Sequence, residues 1–200
     1  MTNAAVSQAG PAPGPTAERV RVPLLAELLA NAPSDRSRVW TDLGKAQAGL
    51  VAKLSGGRNR LIVVDLPDAR RAGKSDWHLP EKVLAPGLWS EPIDIFLCWD
   101  LLNYMDAARL NELSCAMARL ARSHCKVHAL IHYSGTRMAE APGLYGLEPD
   151  GQLLIQPVGS ASVATPRYSP KALEKAMPAL HTERTMLLNN GMQEFLFSVD

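Results

Sequence analysis

The sequence predicts an α/β fold: a doubly wound, mostly parallel sheet that ends in a C-terminal antiparallel hairpin. Between about Arg38 and Cys125, short apolar runs alternate with segments of helical period. This order is typical of a sheet covered by helices on both faces. Further on, two strand-like runs flank Asn189-Asn190-Gly191, which is a strong hairpin signal.

The first half of the chain supplies two helices and two strands. Leucines at helical spacing after Pro23 predict a short amphipathic helix over 23–29. A strand is predicted over 39–43, and a helix from Lys45 until Ser55-Gly56-Gly57 ends it. The continuous apolar run Leu61–Val64 is typical of a strand buried on both faces, and it ends at Asp65.

The second half begins with a third apolar run, over 93–99, that again ends in an acid, Asp100. Asp106 is placed to cap a long helix that stops near Ser123, and a strand is predicted over 127–131. Residues 134–168 are rich in Gly, Pro and Ser and are interpreted as an irregular excursion with one strand at 153–155. Ser169-Pro170 predicts a helix start, and the last strands lie around 183–188 and 194–199.

Composition excludes several classes of protein. The 200 residues carry a net charge of +1, which argues against nucleic acid as a partner. No apolar run reaches the roughly 18 residues of a membrane span. Residues 1–17 lack the regions of a signal peptide and are predicted to be a flexible tail. Three cysteines without a CxxC pair indicate a reducing compartment, and we expect a cytoplasmic location. No acid or cysteine completes a metal site around the histidines at 124, 128 and 132, so no metal is expected.

Three motifs and their order resemble class I S-adenosylmethionine (SAM)-dependent methyltransferases. They are the run Val39–Gly44, the strand that ends at Asp65, and the segment Ile93–Tyr104. The ending, Tyr168–Leu173 followed by a hairpin, is also similar, and the resemblance spans roughly residues 36–200. It implies one methyltransferase-like domain over residues 18–200 and transfer of a methyl group from SAM to a small molecule or a protein.

The resemblance also implies cofactor-binding residues. Asp42 and Gly44 match the start of the glycine-rich turn that meets the amino-acid part of SAM, and Asp65 matches the acid that binds the ribose hydroxyls. Asp76 is the candidate for the adenine site. Each acid also has a structural interpretation: Asp42 as the cap of its own turn, and Asp65 as a solvated acid at a strand end.

The acceptor is expected at the carboxyl end of the strand over 93–99. Asp100 and His132 are the candidate catalytic helpers, since each lies where it could take a proton from the acceptor. Asp100 is equally suited to start the following helix. The candidate substrate-binding residues are Trp99, Asn103, Tyr104 and Tyr133.

Two departures from the family pattern motivate an alternative. The turn of the family reads Asp-x-Gly-x-Gly-x-Gly, whereas this chain has Ala46 and Ala48 at the last two glycine positions. Residues 66–92 are also short for the elements that the family places there, which predicts a reduced sheet edge. The alternative is a protein that keeps the fold without the activity and acts as a binding or scaffolding partner.

Overall fold

The structure is a computed structural model that describes residues 16–31, 36–55, 58–67, 84 and 89–199. Most of the predicted tail and the adenine-site candidate Asp76 lie outside the described residues. Among the described residues, no helix is both long and apolar enough to cross a membrane.

A six-stranded sheet forms the centre of the molecule, in the order β10-β11-β5-β4-β2-β3. The strands β5, β4, β2 and β3 run parallel, whereas β11 pairs antiparallel with both β5 and β10. Their bounds are β2 Arg38–Asp42, β3 Asn59–Val63, β4 Ile93–Trp99, β5 Ala121–His132, β10 Leu180–Leu187 and β11 Met192–Val199. The predicted parallel sheet and C-terminal hairpin are therefore both present.

In the described part of the chain this sheet is accompanied by the helices α1 Pro23–Ala30, α2 Ala48–Ser55, α3 Ala107–Leu120 and α4 Pro170–Ala176 and by the 3₁₀ turn Leu101–Tyr104. Two of the predicted caps are present. Asp106 accepts a 2.9 Å hydrogen bond from the Arg109 backbone N–H at the start of α3. Ser169 accepts one of 3.2 Å from Ala172 N–H at the start of α4.

Helices cover both faces of the sheet. Along β4 alternate side chains enter different core clusters: Phe96 packs with residues of α3 and α4, and Ile95 packs with residues of α1 and α2. Since successive strand residues point to opposite faces, the two clusters lie on opposite sides of the sheet. β4 is buried along its whole length, Asp94 included. The prediction that Leu61–Val64 is buried on both faces was wrong: Val63 is 39% exposed, because no described strand covers the outer side of β3.

The segment 134–168 holds four short strands, where the sequence predicts only one. They are β6 Arg137–Ala139, β7 Leu144–Leu147, β8 Leu153–Gln156 and β9 Ser162–Ala164. β8 lies between β7 and β1 (Glu18–Val20) in a second sheet, and β6 pairs with β9 in a two-stranded ribbon. Strands of three or four residues carry little periodicity, which is why the sequence pattern does not reveal them.

Two predicted element boundaries were wrong. α2 begins at Ala48, not at Lys45, so the turn after β2 is longer than predicted. β5 begins at Ala121, directly after α3, and not at Val127. The left-handed backbone of His124, with φ +63°, falls where the pairing register between β4 and β5 shifts. Among the described residues no strand pairs with the outer side of β3, and since residues 68–83 are not described, the reduced edge stays a prediction.

Candidate functional site

The candidate residues gather at the carboxyl ends of the parallel strands, which is where open α/β sheets bind their ligands. β2 ends at Asp42, β4 is followed by Asp100, and β5 ends at His132. Asp65 lies two residues beyond the end of β3. Four of the predicted site residues therefore come from four neighbouring strands and meet at one edge.

Asp42 is held between two hydrogen bonds from the protein itself. Its Oδ1 accepts a 2.8 Å bond from the Gly44 backbone N–H and a 2.6 Å bond from the Trp99 indole Nε1. The side chain is 1% exposed. Burial raises the pKa of Asp42 and the charge of Asp65 adds to this, although the two hydrogen bonds act in the opposite direction. The carboxylate caps its own turn, as one of the two interpretations expected.

Trp99 covers the turn after β2. Its ring stacks on Tyr145 with centroids 5.1 Å apart. The ring of His128 meets it edge to face, with centroids 6.1 Å apart. A Cβ placed on Gly44 would lie 2.6 Å from the Trp99 Cδ1, so only glycine fits beneath the indole. Trp99 has the left-handed backbone, with φ +49°, a conformation that costs a bulky residue free energy. This backbone directs its indole over Gly44.

The following helix is covered in the same way. A Cβ on Gly49, in the first turn of α2, would lie 1.9 Å from the carbonyl oxygen of Leu147 in β7. The second sheet therefore approaches α2 as closely as a glycine permits. Trp99, Tyr145 and Leu147 together cover the turn and the start of the helix that the resemblance assigns to the amino-acid part of SAM.

Asp65 has a different environment. It is partly exposed and, like Trp99, has a left-handed backbone, with φ +46°. Its position after β3, beside Asp42, fits the acid of a ribose site. The two carboxylates define one end of the candidate cofactor site.

Asp100 lines a cavity of about 440 Å³. The side chain is 3% exposed, and its Oδ2 accepts hydrogen bonds from Gly143 N–H, at 3.2 Å, and from the Tyr104 hydroxyl, at 3.4 Å. The Tyr145 hydroxyl lies beside this carboxylate, and burial together with the nearby charge of Asp100 raises the pKa of that hydroxyl. Burial outweighs these bonds and raises the pKa of Asp100 to about 6. Its other oxygen, Oδ1, has no hydrogen-bond partner in the described part of the protein.

His132 lines the same cavity. Burial lowers the pKa of its imidazole, which favours the neutral ring. The structure thus places the two candidate catalytic residues on one cavity, although 32 positions separate Asp100 from His132 in the sequence. A carboxylate whose pKa lies close to neutral pH and a neutral imidazole are both able to take a proton.

The predicted substrate-binding residues have mostly supporting positions. The Asn103 amide donates to the carbonyls of Asp100 and Leu130 and accepts from His132 N–H, so it ties the turn after β4 to β5. The Tyr104 hydroxyl lies 2.9 Å from the carbonyl oxygen of Ala141, 3.1 Å from that of Ala139 and 3.4 Å from Asp100 Oδ2, and its single proton is shared among these acceptors. Neither of these two side chains lines the cavity.

The remaining two predicted substrate-binding residues differ in exposure. Tyr133 is 53% exposed, and Trp99 is almost fully buried against Gly44. Neither of them lines the cavity that holds Asp100 and His132.

Sequence reasoning missed the residues that close this cavity. Gly143 donates its backbone N–H to Asp100. Tyr145, Met138 and Ile155 line the cavity around it. All four lie in the segment 134–168. The one sequence feature that points to them is their position in the segment directly after β5, which returns over the carboxyl ends of the strands.

His128 and Glu194 form a fully buried pair next to the site, with His128 Nε2 2.8 Å from Glu194 Oε1. The same carboxylate accepts the backbone N–H groups of Leu24 and Leu25, at 3.1 and 2.8 Å. It therefore caps α1 from a strand 170 positions away. Among the described residues no group of three or more metal-ligating side chains occurs.

Comparison with solved structures identifies the fold. A SAM-dependent methyltransferase from Clostridium acetobutylicum matches with a TM-score of 0.50 and 14% identity, over 81% of this chain and 84% of that one. A protein studied for the conversion of a disulfide bond into a thioacetal group in echinomycin biosynthesis matches with a TM-score of 0.52 and 16% identity, over 88% and 80%. The chain spans 54% of the pyocyanin biosynthetic protein PhzM, with 12% identity over 88% of its own length and a TM-score of 0.49.

The protein therefore has the fold of the class I SAM-dependent methyltransferases. No family model matches the sequence, and no curated protein matches it.

The residues present fit SAM unequally. Asp65 is accessible and suited to a ribose. Asp42 and Gly44 are accessible only if the Trp99 indole moves away. The indole donates a hydrogen bond to Asp42 Oδ1 and fills the space above Gly44. The alanines at 46 and 48, by contrast, precede or begin α2, and Ala48 lines a surface groove between α1, α2 and the β7–β8 turn.

Proposed function

We propose that this protein is a SAM-dependent methyltransferase that acts on an acceptor held in the cavity of Asp100 and His132. One observation carries the proposal: the acids Asp42, Asp65 and Asp100 follow three adjacent parallel strands, and the last of them faces a cavity large enough for a small acceptor. Cavities of roughly 300–1,000 Å³ are the usual size of small-molecule sites. A protein acceptor would have to insert a single side chain here.

The residues of the chain would divide the work in a simple way. Asp65 would accept hydrogen bonds from a ribose, and Asp42 and Gly44 would meet the amino-acid part of the cofactor once Trp99 has moved. When bound, SAM would supply a methyl group to the lone pair of the acceptor. The electrons of the broken carbon–sulfur bond would stay on sulfur, which gives S-adenosylhomocysteine. Asp100 or His132 would take the proton that the acceptor loses.

Isothermal titration calorimetry with SAM and with S-adenosylhomocysteine tests the proposal. We expect saturable binding by the wild-type protein and a loss of at least tenfold in affinity for Asp65→Asn, since a carboxylate that accepts two ribose hydroxyls contributes on the order of 1.5–3 kcal/mol. The matched control is Asp150→Asn, an exposed acid in the β7–β8 turn. No binding at millimolar ligand would refute the proposal.

The position of Trp99 favours a second candidate function, that of a methyltransferase-fold protein that binds a partner without catalysis. The indole fills the space above Gly44, and two later glycines of the family's turn are replaced by Ala46 and Ala48. This second function predicts no SAM binding in the wild type and no effect of Asp65→Asn on any binding that is found. The same calorimetry therefore separates the two candidates.

A further inference from the structure

The cavity between β6, β8 and the end of β4 contains a buried acid that no described residue fully satisfies. Asp100 Oδ1 has no hydrogen-bond partner in the described part of the protein, although Asp100 is only 3% exposed. Buried polar atoms in folded proteins are nearly always hydrogen-bonded. An unpartnered carboxylate oxygen beside a cavity is therefore available to accept a hydrogen bond from a ligand.

The charges around the cavity favour a donor that is basic. Asp100 is the buried acid among the described residues of this cavity. His132 also lines the cavity, and burial lowers the pKa of its imidazole, which favours the neutral form. Among the described lining residues the other charged side chains are Glu18 and Arg137, which are exposed, and the Arg137 Nε donates a 2.8 Å hydrogen bond to the Ser162 hydroxyl. An anion would have to lie against an ionised carboxylate, which costs free energy in a buried site.

The rest of the wall sets the shape of the ligand. Met138 and Ile155 supply apolar surface on the strands that cover the cavity. The unbranched, polarisable side chain of methionine adapts to different apolar groups and makes favourable contacts with aromatic rings. The ligand would present an N–H group to Asp100 and an apolar flank to these strands.

We propose that the Asp100 cavity binds a small organic amine, which donates an N–H hydrogen bond to the carboxylate of Asp100. As a statement about the methyl acceptor this rests on the proposed function. As a statement about binding it does not, since the amine needs no cofactor to reach Asp100.

Three molecules of nearly equal shape test the proposal on the full chain, without SAM, at pH 7.5: benzylamine, benzyl alcohol and benzoate. Binding is followed by NMR chemical-shift titration. We expect saturable binding of benzylamine, at least tenfold weaker binding of the alcohol and of benzoate, and a loss of at least tenfold for benzylamine in Asp100→Asn. That loss corresponds to one hydrogen bond to a charged group.

Two further variants complete the design. Asp150→Asn removes an exposed acid and should leave benzylamine binding unchanged, whereas Met138→Trp should abolish it by filling the cavity while circular dichroism shows an intact fold. Benzoate binding as strong as that of the amine would overturn the proposal. So would an unchanged affinity in Asp100→Asn, or the absence of benzylamine binding. None of these outcomes bears on SAM binding, which the calorimetry measures separately.

Discussion

The Trp99 indole donates a 2.6 Å hydrogen bond to the Asp42 carboxylate, and this contact joins the carboxyl ends of β4 and β2. The polar groups of two adjacent strands are thereby hydrogen-bonded to each other at the position where this fold usually binds its cofactor. The bond is buried, and the ring that makes it also stacks on Tyr145 of the covering sheet. Trp99 thus decides whether the turn after β2 is accessible.

Replacing Trp99 by leucine should open this turn. We expect Trp99→Leu to bind SAM at least tenfold more tightly than the wild type, because a protein whose competent state is rarely populated loses affinity in proportion. The variant should also lose about 2–4 kcal/mol of unfolding free energy, as is usual for a truncated buried aromatic. Calorimetry and urea denaturation measure the two effects. Equal or weaker SAM binding by the variant would show that Trp99 does not restrict the site.

Asp100 should make the stability of the protein depend on pH. Burial raises its pKa from 3.8 to about 6 in the folded state, so the folded state holds the proton more tightly than the unfolded state does. The free energy of unfolding therefore falls as pH rises from about 4 to about 6, and the penalty stays above that range.

Asp100→Asn removes this penalty. Relative to the wild type it should gain up to about 3 kcal/mol between pH 4 and pH 7, a little over two pKa units at 1.36 kcal/mol each. Urea denaturation of both proteins at several pH values measures the difference. If that difference does not change with pH, Asp100 is ionised to the same extent in the folded and unfolded states.

Glu194 should be important for the attachment of α1. Glu194→Ala removes the acceptor of Leu24 and Leu25 N–H and the partner of His128, all in a fully buried position. We expect a loss of about 3–5 kcal/mol, the usual result of removing one member of a buried pair. Hydrogen exchange should show faster exchange of the amides of α1.

The control for this prediction is Glu148→Ala, which breaks a more exposed pair with Arg19 and should cost less than about 1 kcal/mol. Equal losses in the two variants would mean that Glu194 does not hold α1 in the way described.

Two glycines provide a matched test of how closely the covering sheet packs. Gly49→Ala would place a Cβ 1.9 Å from the Leu147 carbonyl oxygen, and relief requires backbone movement. We expect a loss of about 1–3 kcal/mol, as for other overpacked sites. Gly146→Ala, whose added Cβ would meet nothing closer than 3.9 Å, should change stability by less than about 0.5 kcal/mol. Thermal denaturation of the pair measures the contrast, and similar values would contradict the close approach of α2 and β7.

Local pattern determined the central architecture. The apolar run of β4, the capping residues Asp106 and Ser169, and the Asn-Asn-Gly turn each act over a few neighbouring residues, and the corresponding elements are where the sequence predicts them. The alternation of strands and helices also predicts that the carboxyl ends of the parallel strands lie at one edge of the sheet. For this reason Asp100 and His132 could be proposed as members of one site. The boundaries of α2 and β5 were less predictable, because helix starts and strand lengths depend on tertiary contacts.

Only the tertiary structure decided how the site is enclosed. Gly143 and Tyr145 meet Asp100 at one cavity although more than forty positions separate them from it, and the strand that begins directly after Gly143 is too short to have a detectable period. The direction of the Trp99 side chain depends on a left-handed backbone that is unfavourable for tryptophan in isolation, and the stacking on Tyr145 and the bond to Asp42 stabilise it. The sequence by itself determined the sheet and the acids at its edge. Packing between distant segments decided which of those acids is sealed and which faces a cavity, because such contacts form only when the whole chain folds.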